Sequence, residues 1–300
     1  MNPKDLLSYN LNFKIGGISL SVQSDLPLRE KTFAPKFQLF RCNDGESDEV
    51  TIYHHPSLPK IKNWGEKIYH RAPWMIYKTP SHYIYRMFVD GNNESPLVAI
   101  FNNDHTEGHI YKGKNYVNAF KKGNLTSLIC FPTDQILFAR ILADRDGIIL
   151  HGSGLILKGK GYLFVGHSEA GKSTVVKIFN HHAKILNDDR LIMRKEDGRF
   201  YLYGTPWHGE VSLVAPDRVP LKAILFLKQA EDNRVERTEG LEAFKRLYGC
   251  TIKPLVTEKW VKNALDICQA LSREVPCYDL YFDRSGEVIS VVNQLLHKNW

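Results

Sequence analysis

The sequence lacks the long apolar run that a membrane span requires, since no segment approaches about 18 consecutive apolar residues. Its opening, MNPKDLLSYN, has no apolar core of the kind found in secretory signal peptides. Cysteine is scarce, and the five cysteines are far apart with no CxxC pair, which disfavours a zinc site and a disulfide framework. We therefore expect a cytoplasmic protein that does not bind a membrane.

The composition that remains is that of an ordinary globular protein. Of the 300 residues, 43% are hydrophobic and 24% are charged, which is sufficient for a packed core. The formal net charge of +7 is spread along the chain, so nucleic acid is not an expected partner, although an anionic ligand such as a nucleotide is favoured. The length predicts about two domains.

The sequence pattern changes near residue 125. Residues 1–124 contain short strand-like runs with period-two alternation, separated by turn segments such as DGNNESP, and predict an antiparallel β-rich domain. From residue 125 onwards strands alternate with helices, the first of which, DQILFARILADRDG, follows Pro132 and Thr133. We therefore predict a second domain over residues 125–300, in which strands and helices alternate.

A phosphate-binding loop is the strongest motif in the sequence. Residues 166–174 match G-x-x-x-x-G-K-[ST], with the strand-like YLFV before them and the helix-like STVVKIF after them. Glycines at both ends of the loop let backbone N–H groups turn toward phosphate oxygens, and Lys172 would reach the β- and γ-phosphates while Ser173 binds Mg²⁺. The predicted nucleotide-binding residues are Gly166, His167, Ser168, Glu169, Ala170, Gly171, Lys172, Ser173 and Thr174.

Two adjacent carboxylates follow the loop after only one helix and one strand. Asp188 and Asp189 belong to the segment LNDDR, which begins soon enough after Ser173 for the carboxylates to return beside Lys172. One carboxylate can hold Mg²⁺ while the other accepts a proton from an attacking hydroxyl. The residues alone do not assign the two roles.

Further candidates precede and follow these motifs. His151 ends a strand and is flanked by glycine, and a hairpin over residues 155–165 would place it near the mouth of the loop. The segment GTPWHGE follows a later strand and is predicted to shape the acceptor site, while an arginine beside the acidic pair would add positive charge. The candidate acceptor residues are Arg190, Trp207, His208 and Glu210.

The combination of His151-Gly, GHSEAGKS and LNDDR resembles the catalytic domain of HPr kinase/phosphorylase and its relatives, which include lasso-peptide and free-serine kinases and, more distantly, phosphoenolpyruvate carboxykinase. The resemblance covers about residues 125–300. It implies an α/β fold with a mixed, hairpin-rich sheet, ATP and Mg²⁺ as cofactors, and a serine hydroxyl as acceptor. It also implies that His151 lies beside the transferred phosphate, that Asp188 accepts the proton and that Asp189 binds the metal.

The sequence departs from the bifunctional members of that family in two places. No glycine-rich phosphorylase signature follows the acidic pair, where GTPWHGE is found instead. Residues 1–120 do not resemble the N-terminal domain of HPr kinase. Both differences argue against HPr as the substrate and against the reverse phosphorolysis.

The predicted function is therefore an ATP-dependent kinase that phosphorylates a hydroxyl, with serine expected, on a peptide, protein or small molecule. The N-terminal domain would select the acceptor, and the resemblance allows a homo-oligomer. Two alternatives stay open, namely a P-loop ATPase or nucleotide-dependent switch, and a non-catalytic nucleotide-binding module. The sequence contains neither the guanine-reading NKxD motif nor an ABC-type signature, and Lys172, Ser173, Asp188 and Asp189 are all intact.

Overall fold

The computed structural model describes residues 8–43, 49–89, 92–129, 134–167, 169–254 and 257–295. The chain forms two compact units, residues 1–137 and 138–300. The helix predicted near residue 134 is α2 (Asp134–Ala143), while Pro132 and Thr133 lie outside the described residues. No helix within those ranges is both long enough and apolar enough to cross a bilayer.

The first unit is built on one eight-stranded sheet with the spatial order β1-β2-β3-β8-β7-β6-β5-β4. Strand β3 buries alternate side chains, as expected where only one face of a sheet contacts a core. The elements are β1 (Ser8–Ile15), β2 (Ile18–Leu28), β3 (Glu49–His55), β4 (Glu66–Arg71), β5 (Trp74–Lys78), β6 (His82–Val89), β7 (Asn92–Asn102), β8 (Glu107–Lys112) and helix α1 (Lys114–Lys122).

The prediction of an antiparallel first domain is wrong for part of this sheet. Strand β3 pairs in parallel with both β2 and β8, whereas β1–β2 and β7–β8 pair antiparallel. The connection from β2 to β3 is long enough for the chain to return, and it contains two 3₁₀ helices, Glu30–Thr32 and Pro35–Phe40. Hydrophobic alternation marks a strand but not its direction, so the sequence pattern could not distinguish the two pairings.

Three of the fully buried phenylalanine rings of the first unit pack against one another. Phe13, Phe33 and Phe37 meet edge to face with ring centroids 5.6 to 6.3 Å apart. In the same unit, burial holds the pKa of His54 well below its usual value, and its Nε2 donates to the carbonyl oxygen of Leu128 at 2.8 Å. His54 is therefore a neutral structural residue.

The described part of the second unit has an eight-stranded sheet, in which seven strands follow the spatial order β10-β9-β12-β13-β14-β16-β15 and the eighth, β11, pairs with β9. An additional pairing of β10 with β14 closes β9, β10, β14, β13 and β12 into a ring. The elements are β9 (Gly147–Leu157), β10 (Lys160–Val165), α3 (Lys172–Phe179), β11 (Lys184–Asn187), β12 (Arg190–Glu196), β13 (Arg199–Tyr203), β14 (Arg218–Gln229), β15 (Arg234–Arg237), α4 (Gly240–Cys250), α5 (Glu258–Glu274), β16 (Cys277–Phe282) and α6 (Val288–Gln294).

Three neighbouring strands of this unit run parallel, because β14 pairs in parallel with β10 and with β16. The remaining pairs are antiparallel, so the unit has the mixed α/β architecture that was predicted. Parallel strands end at the same edge of a sheet, where ligands of α/β proteins commonly bind. The segments that follow β10, β14 and β16 are therefore brought together.

Strand β10 is buried on both faces, which accounts for its continuous apolar run YLFV. Leu163 and Val165 join a cluster that includes side chains of α4 and α5, whereas Tyr162 and Phe164 join a second cluster that includes side chains of α3 and α6. The phosphate loop therefore follows a strand that packs against helices on both of its faces.

A partly exposed ion-pair network links β14, β16 and α4. Asp279 Oδ2 accepts a hydrogen bond from Lys228 Nζ at 2.8 Å, and Asp279 Oδ1 accepts one from Arg246 Nη1. Partial burial alone would raise the pKa of Asp279, but the hydrogen bonds from Lys228 and Arg246 outweigh it and lower that pKa below its usual value.

We expect Asp279→Asn to reduce the free energy of unfolding by about 1–3 kcal/mol at pH 7, because two cations lose their carboxylate partner. A carboxyl whose pKa is lowered by folding contributes stability that is present above its unfolded pKa of about 3.9 and is lost as the pH falls through the folded pKa. Denaturant unfolding at several pH values measures the difference between wild type and variant. A difference as large in strong acid as at neutral pH would contradict this account.

Candidate functional site

A cleft of about 390 Å³ opens at the edge of the second unit where β10 ends. It is lined by the phosphate loop, the acidic pair and the segment near residue 209, and among the described residues no apolar side chain contributes to its lining. The predicted residues that it brings together are His151, Glu169, Gly171, Lys172, Ser173, Thr174, Asp188, Asp189 and Glu210.

The phosphate loop connects β10 directly to the N-terminus of α3. Gly171 adopts a left-handed conformation with φ of 101°, and a Cβ there would lie 2.6 Å from Phe282 Cζ, so only glycine fits. Lys172 is 8% exposed, and its Nζ donates to the carbonyl oxygens of Gly166 at 2.9 Å and His167 at 2.8 Å. Ser168 lies outside the described residues.

Burial lowers the pKa of Lys172, and the charge of Asp189 partly opposes that effect. The ammonium group is held within the curve of the loop by carbonyl oxygens that a phosphate oxygen can replace. The first turn of α3 also directs its free backbone N–H groups toward the same space. Loop and helix together present donors that could bind an anion.

Strand register brings His151 to this loop. In the β9–β10 hairpin Gly152 is paired with Val165, the last residue before the loop, and in the β9–β12 pair His151 is paired with Arg190. His151 therefore lies between the start of the phosphate loop and the acidic pair. It lines the cleft, as a hairpin between β9 and β10 would require.

Asn187 shapes the turn that carries the two aspartates, a role that the sequence analysis did not assign. Its Oδ1 accepts hydrogen bonds from the backbone N–H groups of Asp189 at 2.7 Å and Arg190 at 2.9 Å, while its Nδ2 donates to the carbonyl oxygen of Thr205 at 2.8 Å. Asn187 is completely buried. This turn gives the neighbouring carboxylates different partners.

Asp188 anchors the segment after β13. Its Oδ1 accepts from the backbone N–H of Gly209 and its Oδ2 from that of Val211, both at 2.7 Å, and the residue is 2% exposed. A Cβ at position 209 would lie 3.2 Å from Asp188 Oδ2 and 3.0 Å from Asp189 Cβ, so glycine permits this close approach. Each carboxylate oxygen keeps a further lone pair for another donor.

Asp189 instead forms a network with a histidine and an arginine. Its Oδ1 accepts from His151 Nδ1 at 2.8 Å and from Arg190 Nη1 at 2.7 Å, and that Nη1 also contacts His151 Nδ1. Partial burial favours a higher pKa for Asp189, but the hydrogen bond from His151 and the charges of Arg190 and Lys172 lower it overall. Asp189 is thus ionised, and it fixes the His151 ring with Nδ1 engaged.

The acceptor candidates near the acidic pair and after β13 occupy different environments. Trp207 is 4% exposed and packs edge to face on Phe138 with centroids 4.7 Å apart, so it belongs to the core and not to the rim of the cleft. The His208 ring contacts the carbonyl oxygen of Gly209 and does not line the cleft, and Arg190 binds Asp189 instead of lining it. Only Glu210 of this set faces the cleft.

Glu210 connects that segment to the first turns of α3. Its Oε1 lies 2.9 Å from Lys177 Nζ, and hydrogen bonds from Lys177 and Ser173 lower the pKa of Glu210. The Ser173 hydroxyl is therefore next to a carboxylate at the start of α3. This contact was not predicted from the sequence, where Glu210 was assigned to the acceptor.

The oxygen donors near the loop suit Mg²⁺, which prefers hard oxygen ligands. Within the described ranges no three or more His, Cys, Asp or Glu side chains are grouped so as to hold a metal by themselves. Mg²⁺ that accompanies a nucleotide needs only one or two protein ligands besides phosphate oxygens and waters. The Ser173 hydroxyl and the Asp189 carboxylate fit that requirement, and their assignment stays a prediction.

Two residues of the lining, Gln229 and Arg284, were not predicted, while Gly209 lies in the segment GTPWHGE that was predicted to shape the acceptor site. Gln229 ends β14, and its Nε2 donates to the carbonyl oxygen of Glu169 at 2.7 Å. Arg284 follows β16 and is exposed. The strands LKAILFLKQ and CYDLYF were recognisable in the sequence, but only their parallel pairing brings the residues after them to the loop.

Comparisons with known proteins bear mainly on the second unit. A family model described as SynChlorMet cassette protein ScmC matches residues 133–297. Among solved structures, that of the Hpr(Ser) kinase/phosphatase from Coxiella burnetii is similar with 9% sequence identity and a TM-score of 0.31, over 49% of this chain and 87% of that chain. A likeness at that score does not establish a shared fold. No curated protein matches the sequence.

Proposed function

The chain belongs to the SynChlorMet cassette protein ScmC family through the unit that carries the cleft, and we propose that it is an ATP-dependent kinase acting on a hydroxyl. The acceptor would be a peptide, protein or small molecule, with serine favoured. One observation carries the proposal: a single cleft is lined by Lys172 of the phosphate loop, the Asp188–Asp189 pair and His151. Phosphoryl transfer needs mainly positioning and neutralisation of charge, and these groups can provide both.

The phosphate end of the proposed site consists of the loop, the start of α3 and Lys172. In the structure the Lys172 ammonium is bound to two loop carbonyls. We propose that β- and γ-phosphate oxygens replace these partners when ATP binds. The exchange keeps the buried charge paired, as a charge in a poorly solvated position requires.

The metal of this reaction would be held by Ser173 and Asp189. When bound, Mg²⁺ supplies positive charge to the β- and γ-phosphates. The lowered pKa of Asp189 keeps its carboxylate ionised for that role. Asp189 also holds His151 Nδ1, and we propose that this contact leaves Nε2 of the same ring available to a ligand in the cleft.

In the proposed step the acceptor oxygen forms a bond to the γ-phosphorus. The bond between that phosphorus and the oxygen bridging to the β-phosphate breaks, and ADP leaves with the electron pair. The acceptor proton passes to the Asp188 carboxylate. The hydrogen bonds that Asp188 accepts from the backbone N–H groups of Gly209 and Val211 hold the side chain in place during this transfer. Asp188 is thus proposed both to anchor the segment of residues 209–211 and to take the proton.

Selection of a large acceptor is proposed to involve the first unit. The described lining of the cleft consists only of polar, charged and glycine residues, so it offers no apolar surface for the side chains of a peptide. Apolar contact usually supplies much of the binding energy in a recognition pocket. A peptide or protein acceptor would therefore need contacts outside the cleft.

The test is transfer from γ-labelled ATP with Mg²⁺ to free serine, serine-bearing peptides and HPr, with products resolved by mass. We expect label on at least one acceptor, and a loss of about 100-fold or more in Asp189→Asn, which lacks the proposed metal ligand. Asp266→Asn, which makes the same chemical change at an exposed position on α5, is the matched control and should retain wild-type transfer. Release of phosphate to water without labelled acceptor would support an ATPase and contradict the kinase proposal.

A further inference from the structure

A second, smaller cavity of about 170 Å³ adjoins the cleft at the same edge of the sheet. Gly171, Thr174, Gln229 and Arg284 line both spaces, so the two spaces lie side by side at these residues. His151, Asp188 and Asp189, which are proposed to act on the transferred phosphate, do not line the smaller cavity. It therefore leads from the phosphate loop away from the groups proposed to do the chemistry.

The parallel strands explain why this cavity lies beside the phosphate loop. Gln229 and Phe282 are paired at the ends of β14 and β16, and β10 pairs with β14 on the way to the loop. The cavity is lined by residues that come directly after these strands, namely Ala230 after β14 and Asp283 and Arg284 after β16. A hydrogen bond from Ala230 N to Phe282 O at 3.0 Å joins the two segments.

The cavity is too small for a whole nucleotide, since pockets for drug-sized ligands start at about 300 Å³. It can hold one part of a nucleotide whose phosphates occupy the adjoining cleft. Its lining combines the apolar groups of Ala230 and Phe282 with the charged groups of Asp283 and Arg284. That mixture suits a group with a flat apolar surface and polar edges.

Both charged side chains of the cavity, those of Asp283 and Arg284, can interact with such a ligand. Asp283 Oδ1 accepts from Ser285 N, Ser285 Oγ and Asn233 Nδ2 at 2.6 to 2.9 Å, and these bonds lower the pKa of Asp283. Its Oδ2 accepts no hydrogen bond from the residues that the structure describes. Arg284 has no carboxylate partner within those same residues, and it faces both the cavity and the cleft.

We infer that the smaller cavity binds the nucleoside of the nucleotide, with Asp283 accepting hydrogen bonds from it and Arg284 pairing with the phosphates at the junction of cavity and cleft. The inference rests on the proposed function, because it takes phosphate binding at the loop as given. The inference names residues of the smaller cavity that would make the protein bind a nucleotide more tightly than a polyphosphate without a nucleoside. Gln229 links the two parts, since it lines the cavity and binds the loop carbonyl of Glu169.

Binding of Mg-ATP and of Mg-tripolyphosphate to the full chain, measured by calorimetry, tests the inference. Wild type should bind ATP more tightly than tripolyphosphate. Ala230→Leu, which fills the cavity, should weaken ATP binding about tenfold and leave tripolyphosphate binding unchanged. Arg284→Gln should weaken both ligands about tenfold, whereas the matched control Arg273→Gln, an exposed change on α5, should weaken neither.

The outcomes separate the inference from the proposed function. Wild type that binds neither ligand would overturn nucleotide binding itself. Wild type that binds both ligands equally, or Ala230→Leu that weakens both or neither, would overturn the nucleoside site alone. Photolabelling of wild type with 8-azido-ATP needs no variant, and we expect label near residues 229–230 or 282–284. Label confined to other segments would also overturn the inference.

Discussion

Lys172→Ala is expected to reduce nucleotide-dependent turnover by about 100-fold or more and to weaken ATP binding at least about tenfold. Lys172 brings the positive charge of the loop into the cleft, and burial has already removed most of its water. An ammonium in a poorly solvated position interacts with phosphate far more strongly than one in water. Steady-state kinetics and calorimetry on the same variant measure both effects.

The control for this prediction is Lys160→Ala, which removes an exposed lysine from the start of the strand that leads to the loop. It keeps the net charge of the two variants equal. Thermal unfolding of both variants excludes a general loss of structure. Turnover at the wild-type rate in Lys172→Ala would show that the loop does not hold the phosphates, and the proposed kinase site would have to be abandoned.

Asp188→Asn is expected to lose stability as well as activity, because Asp188 is bound to the backbone on both carboxylate oxygens. Asparagine presents an NH₂ group to one of two N–H donors, so the N–H of Gly209 or Val211 loses its charged acceptor. A hydrogen bond to a charged group contributes about 1.5–3 kcal/mol. We expect that loss in the free energy of unfolding, together with a decrease of about 100-fold or more in transfer.

Asp189→Asn is the matched comparison, since Asp189 binds His151 and Arg190 and no N–H of the 209–211 segment. Limited proteolysis near the exposed residues 212 and 213 measures the order of that segment in each variant. Only Asp188→Asn should increase cleavage there. Unchanged cleavage and stability would refute the anchoring role, while full transfer in Asp188→Asn would move the proton acceptor to another group, first to His151 or Asp189.

The candidate site was predictable to the extent that its parts are close in sequence. Glycines in the loop, the lysine at the start of α3 and the acidic pair one strand later are local arrangements whose geometry the peptide chain largely dictates. His151 was reached the same way, because a hairpin between β9 and β10 determines its distance from the loop. The sequence analysis assigned no role to Asn187, although Asn187 directly precedes Asp188 and Asp189 and shapes the turn that carries them.

Errors arose where distant segments meet. Trp207 and Glu210 belong to one short segment of turn residues, yet one is buried against Phe138 and the other lines the cleft. The segment is a turn with no hydrophobic period, so the sequence pattern did not show which of its residues enters the core. The direction of β3 in the first sheet was likewise decided by its partners β2 and β8.

Local spacing and hydrophobic period were therefore sufficient to predict that residues of the glycine-rich loop lie close to the two carboxylates and that the first unit is β-rich, while phosphate binding by the loop stays a prediction. Tertiary structure alone brought Gln229 and Arg284 to the loop and created the cavity beside it. Those residues lie more than 50 positions apart in the chain and meet because β14 and β16 run parallel to β10. Strand direction depends on the pairing of the whole sheet, which no single segment specifies.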